Sequence, residues 1–260
     1  GGPDLMETLL RPCLLLCAGL DPSGGAGIQA DIEAVSAQGA HALPLVTALT
    51  VQDNNAVREV VPVDAGLLLR QAVLLAGTMP IRAVKIGIPG NRENAEAIAG
   101  IVRMLRVQRP DLPVVLDPVL ASGRGDTLSR GDALAALAPL LAVATLVVPN
   151  LPEAAALGIA PTGSTPLPCA HVLVTGGHGD GADIVNRWLS AGGSREWRWP
   201  RLRGEFHGSG CTLASSIAAR LALGDTMAQA LELGQRWCDR TLAHAYAIAP
   251  GQRIPRRIHP

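Results

Sequence analysis

Short apolar runs that end in glycine or polar residues, each leading into a stretch of helical periodicity, recur along this chain. Runs at 13–18, 43–49, 83–86, 114–116, 144–148 and 171–174 have the length and Val/Leu/Ile content of buried strands. Helical spacing follows at 28–38, 64–76, 93–105, 131–141, 212–223 and 226–249. Such alternation predicts an α/β fold: a doubly wound, mostly parallel sheet with helices on both faces and ligand residues along the carboxyl ends of its strands. Hydrophobic residues make up 48% but aromatics only 2%, so the core must be Ala, Leu, Val and Ile, which suits a covered parallel sheet. An amphipathic pair at 184–189 and 196–199 predicts an antiparallel hairpin. With no repeat or long linker, residues 1–260 are expected to form one domain, with 1–11 and 251–260 peripheral and the tail after Pro250 frayed.

Formal net charge is zero and basic residues cluster only at Arg253, Arg256 and Arg257, which argues against nucleic acid as a partner. No run is long enough to cross a membrane, and the apolar residues before Cys17 are too short for a secretory signal. The five cysteines, Cys13, Cys17, Cys169, Cys211 and Cys238, are scattered and contain no CxxC pair. A reducing cytoplasm is the expected location.

Residues 204–224 carry the strongest chemical signal. Gly208 and Gly210 bracket Ser209, so the backbone can turn tightly and approach a ligand, and a helix starts at about Thr212. Its unpaired first-turn N–H groups would face a Gly-rich loop, an arrangement suited to a phosphoryl group. Cys211 lies at the mouth of the loop, where a thiolate would also be stabilised. The competing reading is a tight turn into a core helix with a buried Cys.

A second glycine cluster, Asp21-Pro22-Ser23-Gly24-Gly25-Ala26-Gly27, joins the first strand to a helix and fits neither the GxGxxG nor the GxxxxGK[ST] spacing. Gln52, after the second strand, could both donate to and accept from a heterocycle edge, although Asn and Asp beside it also suit a solvated turn. Asp117 ends a strand and is a candidate magnesium or phosphate partner, expected at the rim because a buried charge is costly. The small, polar residues 121–126 suit a flap. Asn150 and Glu153 form a capping-box pattern, which explains Glu153 structurally; beside a phosphate it could also order a metal-bound water.

The segments Ala18-Gly19-Leu20-Asp21-Pro22-Ser23-Gly24-Gly25-Ala26-Gly27-Ile28-Gln29-Ala30-Asp31, Pro149-Asn150-Leu151-Pro152-Glu153-Ala154, Gly176-Gly177-His178 and His207-Gly208-Ser209-Gly210-Cys211-Thr212-Leu213 together resemble the hydroxymethylpyrimidine/phosphomethylpyrimidine kinases. These are ribokinase-like enzymes of thiamine biosynthesis, three-layer sandwiches in fold. The resemblance implies phosphorylation of 4-amino-5-hydroxymethyl-2-methylpyrimidine and then of its monophosphate, with ATP as co-substrate and Mg2+ as cofactor. It implies that Gly208, Ser209, Gly210 and Cys211 form the anion hole, with Cys211 deprotonating or orienting the substrate hydroxymethyl group. Gln52 and Asp31 would hold the aminopyrimidine, with Gly19, Ala26 and Val119 walling the pocket; taken alone, Asp31 reads as an exposed helix residue. Asn150, Glu153, Thr175 and Gly177 would act on the triphosphate, and Asp117 and Glu153 on the metal. A homodimer is also implied.

The chain departs from the resemblance in places. Asp53 stands where many relatives have Asn, Thr175 stands where some have Lys, and the segment from Gly177 to His207 is short. Two other readings stay open: a pyridoxine/pyridoxal kinase of the same fold, and a non-catalytic pyrimidine sensor.

Overall fold

A computed structural model describes residues 10–120 and 130–260. The flap expected at 121–126 and most of the first eleven residues lie outside the described residues.

Strand β1 (Cys13–Leu20) runs through the centre of the core. The glycine cluster leads from it into helix α1 (Gly27–Gln38), which stops at Gly39 in the left-handed region, φ 95°. Strand β2 (His41–Gln52) pairs parallel to β1 and continues beyond the predicted strand to Gln52. There a tight turn returns the chain as β3 (Val57–Pro62), an antiparallel edge strand that the sequence reading missed. Its Val-Arg-Glu-Val-Val-Pro sequence is mostly exposed and gives no buried run to detect. Asp64 caps α2 (Ala65–Ala76) by accepting from Leu67 N, and β4 (Ile81–Ile86) then lies on the other side of β1. Asn91 caps α3 (Arg92–Gln108), which feeds β5 (Val114–Leu116). Helix α4 (Arg130–Leu141), β6 (Leu146–Val147), α5 (Leu151–Ala156) and β7 (His171–Val174) complete the parallel part. The expected hairpin is β8 (Asp183–Ser190) and β9 (Gly193–Pro200), and it occupies the stretch that looks short in sequence. Helices α6 (Ser209–Ala222) and α7 (Met227–Ala243) follow.

The nine strands form one sheet in the order β3-β2-β1-β4-β5-β6-β7-β8-β9. Strand parity divides the core. Cys13, Leu15 and Cys17 face α2, α3 and α4, whereas Leu14, Leu16 and Ala18 face α1, α6 and α7. This is the predicted three-layer, doubly wound architecture. The order places β1 and β4 side by side with helices crossing on opposite faces, so the carboxyl ends of β1, β2, β4, β5, β6 and β7 open on one edge.

Two helices differ from expectation. Helical spacing over 64–76 puts Leu67, Leu68, Val73, Leu74 and Leu75 on the core face, but Leu67, Val73 and Leu74 are exposed, and Leu68 with Ala72 makes the buried stripe. Helix α7 ends at Ala243 rather than near Ala249, and Leu233 points outward. The tail is not frayed. Tyr246 and Ile254 exchange backbone hydrogen bonds (2.8 and 3.0 Å), Arg253 N donates to Glu205 O (2.9 Å), and His207 N donates to Arg253 O (2.9 Å). Arg257, 1% exposed, is buried under the glycine cluster. A segment rich in Pro and Arg has the composition of a loose end, but each of its cations finds a specific acceptor.

Candidate active site

Among the helix starts with a described cap residue, α2, α3, α5 and α7 each carry a side-chain cap, whereas α1 and α6 carry none. The N-termini of α1 and α6 meet at the sheet edge. Gly208 begins α6 at φ 81°, and a Cβ there would run into Gly25 O, with Ala26 Cα 3.0 Å away. The two glycine-rich loops are therefore in backbone contact, and the positive ends of two helices converge. Gly208→Ala combines a left-handed φ with this collision. It is expected to destabilise the fold by at least about 1–3 kcal/mol and to abolish turnover in the folded fraction; wild-type melting temperature and turnover would show that the junction does not need glycine.

Asp21 shapes the first loop. Its carboxylate accepts from Ser23 N (2.8 Å), Ser23 Oγ (2.9 Å), Gly25 N (3.2 Å) and Ala26 N (2.9 Å), and lies 2.6 Å from His207 Nε2. Burial works against its ionisation, but the bonds from His207 and Ser23 outweigh it and lower its pKa. Asp21 thereby ties the loop to the approach of α6 across 186 positions of sequence. Only the Asp-Pro-Ser turn signal was visible locally.

Between these loops Cys211, Asp117, Asp31 and Lys85 form a charged cluster. Asp117 Oδ2 faces the loop at Gly210, and the Asp117 side chain and the Gly27 backbone interact with the neighbouring Cys211 thiol. Asp31 is fully buried rather than exposed: Lys85 Nζ donates to its two oxygens at 2.8 and 2.9 Å, and Ser215 Oγ to Oδ1 at 2.5 Å. Lys85, absent from the sequence reading, is the only lysine in the chain and is wholly buried. Burial alone would lower its pKa; Asp31, with Cys211 and Asp117, reverses this and raises it. Asp117 is likewise buried and not at the rim, and burial raises its pKa although Lys85 opposes the shift. The expected stabilisation of a Cys211 thiolate is also corrected. Burial pushes the thiol up to about 12, with Asp117 and Asp31 adding to the rise and Lys85 opposing it. Cys211 is a neutral thiol at neutral pH.

Glu153 is close enough to Asp117 to feel its charge. The predicted capping box is present: Glu153 N donates to Asn150 Oδ1 and Asn150 N to Glu153 Oε1, both at 2.9 Å, and Leu120 N reaches Oε2 at 3.3 Å. Burial, with Asp117 adding to it, raises Glu153 from 4.5 to about 7. Protonated Glu153 therefore favours the folded state; its contribution is complete below about pH 4.5 and is lost as pH rises through about 7. The loss is on the order of 3 kcal/mol. Glu153→Gln preserves the cap and is expected to remove this alkaline decline from a plot of melting temperature against pH; an unchanged slope would assign it elsewhere.

The remaining expected residues lie along the same edge. Gln52 closes β2, with Thr50 Oγ1 2.7 Å from both Gln52 Oε1 and Leu20 O. Asp53 caps the β2–β3 turn by accepting from Asn55 N (2.8 Å) and Ala56 N (2.9 Å). Gly19 lies under Ile88, Ala26 packs at Gly208, and half-buried Val119 follows Asp117. Thr175 bridges to Asn150, and Gly176 N donates to Asn186 Oδ1 (3.0 Å), itself held by Gln235. Beside Gly177 stands a cation the sequence reading did not anticipate: Arg201 donates to Gly177 O (2.8 Å) and Gly181 O (2.7 Å), 24 and 20 residues away. It lines a cavity of about 470 Å3 with Leu151, Val174, Gly176 and Arg187.

An edge with two converging helix starts, a half-buried thiol beside buried carboxylates and an ammonium, and a further carboxylate suits transfer of an anionic group. The fold is that of the ribokinase-like kinases. Pyridoxal kinase from Bacillus subtilis, solved as an ADP complex, superposes with a TM-score of 0.82 at 22% identity, covering 95% of this chain and 98% of that one. Phosphomethylpyrimidine kinase from Clostridium difficile 630 gives 0.70 at 28% identity, covering 90% and 100%. In sequence, the family model described as phosphomethylpyrimidine kinase matches residues 21–255. The hydroxymethylpyrimidine/phosphomethylpyrimidine kinase of Escherichia coli K12 is 33% identical over 92% of this chain and 94% of its own length. The thiamine biosynthesis multifunctional protein ThiED of Corynebacterium efficiens is 32% identical over 93% of this chain, which spans only 34% of that protein. The chain belongs to the phosphomethylpyrimidine kinase family.

Proposed function

We propose that the protein transfers the γ-phosphoryl group of ATP to the hydroxymethyl group of 4-amino-5-hydroxymethyl-2-methylpyrimidine, and then to the resulting monophosphate. The observation that carries this reading is the junction of uncapped α1 and α6 around Cys211 and Asp117. Backbone N–H groups of residues 208–211 stabilise charge on the group in transit, while positioning supplies most of the remaining acceleration. Cys211 acts as an orienting relay rather than a preformed thiolate. As the substrate oxygen attacks, its proton passes to Sγ and the thiol proton passes to an oxygen of the phosphoryl group in transit, so no isolated thiolate forms and Asp117 stays free for the metal.

Gln52 faces the pyrimidine edge in this reading, with Gly19, Ala26 and Val119 as walls. Asp31, already committed to Lys85 and Ser215, supports the site through Lys85 instead of gripping the ring. Asn150, Thr175, Gly177 and Arg201 serve the triphosphate, Arg201 bringing the guanidinium that Thr175 does not supply.

The donor set at Asp117 and Glu153 fits Mg2+. Both carboxylates have raised pKa values through burial, each with a neighbouring carboxylate adding to the rise, a condition that a divalent cation relieves. Magnesium commonly takes only one or two protein carboxylates, completing its shell with phosphate and water. Bound there, it would neutralise charge on the triphosphate.

The five cysteines are free thiols, which fits a reducing cytoplasm. No helix among the described residues is long and apolar enough to cross a membrane. Exposed Leu49, Val51 and Val61 at the β2–β3 edge are consistent with a homodimer, which sedimentation at micromolar concentration would reveal.

The test is ADP formation with magnesium, using the hydroxymethylpyrimidine, its monophosphate and pyridoxal as separate acceptors. Turnover of both pyrimidines supports the reading. Turnover of pyridoxal alone would replace the substrate, and binding without ADP formation would replace the enzyme with a sensor.

A further inference from the structure

The guanidinium of Arg257 lies at the junction of the two loops that build the site. Its Nε donates to Glu33 Oε2 (2.7 Å), Nη1 to Thr212 Oγ1 (3.1 Å), and Nη2 to Gly25 O (3.0 Å), with Gly24 O at 3.4 Å. Thr212 in turn donates through N and Oγ1 to Gly208 O, at 2.9 and 2.7 Å. One side chain thus spans α1, the glycine cluster and the first turn of α6. The surrounding tail tightens the same place. A Cβ at Gly25 would collide with His207 and with Ile254 Cδ1, and Asn54 Nδ2, near Gln52, donates to Pro250 O (3.3 Å) and Gln252 O (3.0 Å).

We propose that Arg257 is a positioning residue for phosphoryl transfer, a strut that fixes the substrate loop against the anion-binding turn and makes the C-terminal tail part of the active unit. The proposal rests on the kinase reading for its functional consequence but not for its structural one. The planar fork matters because three acceptors in different directions are satisfied at once; a lysine at this position offers a single ammonium on a flexible stem. Small displacements of positioned groups are amplified in rate, so loosening the junction should act on catalysis well before it unfolds the protein.

The experiment compares full-length wild type with Arg257→Ala and Arg257→Lys by hydrogen exchange without ligands and by steady-state kinetics. The expected result is faster exchange confined to residues 21–27 and 208–212. The pyrimidine kcat/KM should fall about 10- to 100-fold for Ala and less for Lys, with partial recovery of the Ala variant by millimolar guanidinium. Unchanged exchange in both segments, or activity falling only in proportion to the unfolded fraction, would overturn it. Should the Ala variant not fold, the Lys variant carries the same two readouts. A wild type inactive on every acceptor would refute the kinase reading alone, because the exchange comparison still decides whether the strut exists.

Discussion

Cys211→Ala is expected to lower kcat by roughly 10²- to 10⁴-fold, the range for loss of a positioned proton-transfer group. KM for ATP should change little, because the helix-start N–H groups and Asn150 remain. The geometry makes a sharper claim about Cys211→Ser. Since burial holds the thiol neutral, a hydroxyl can occupy the same relay, and Ser should retain clearly more activity than Ala. A thiolate base would show the opposite behaviour, with Ser as inactive as Ala and a rate rising through the ordinary thiol range near pH 8–9. Steady-state kinetics of the three proteins between pH 6 and 10 separate these mechanisms. Equal turnover by wild type and Ala would remove Cys211 from the reaction altogether.

Lys85→Met should have the largest effect on stability. The substitution preserves much of the side-chain volume but leaves the buried Asp31 carboxyl without its cation, with Ser215 as the remaining hydrogen-bond partner. Breaking a buried pair by removing one member typically costs about 3–5 kcal/mol. For a chain of this size that lowers the melting temperature by on the order of 10 °C. Asp31→Asn in the same protein should recover most of the loss, since the uncompensated charge has then gone. Activity should not recover with it, because the ammonium also favours the ionised form of Asp117, the carboxylate proposed to hold the metal. Thermal melts and kinetics on the single and double variants test both statements, and a single variant that melts with wild type would show that the pair contributes nothing net.

The parts of this structure legible in the sequence are those whose causes are local. Apolar runs marked the parallel strands, and the Asn150/Glu153 pattern announced the start of α5. The anion-binding turn was visible because glycine spacing and a helix start are adjacent in the chain. What escaped was built from distant pairs. Lys85 looks like one residue of an ordinary strand until Asp31, 54 positions earlier, faces it across the sheet–helix boundary. Asp31 in turn looked exposed because helical position alone does not reveal which layer covers it. His207 meets Asp21 across 186 positions and Arg257 meets Gly25 across 232. The neutral state of Cys211 depends on burial, with Asp117 and Asp31 adding to it against the pull of Lys85, none of them adjacent to it in sequence.

The single lysine has a practical consequence. A lysine-specific protease has one cleavage point in the chain, at a fully buried residue of a strand beside β1. Cutting there requires the centre of the sheet to open, whereas fraying of the tail, hairpin or loops exposes no recognition site. Under conditions where reclosing outpaces cleavage, the digestion rate measures the population of that deep opening. The protein therefore carries its own clock for core exposure, with no label to attach and no surface lysine to confuse the count.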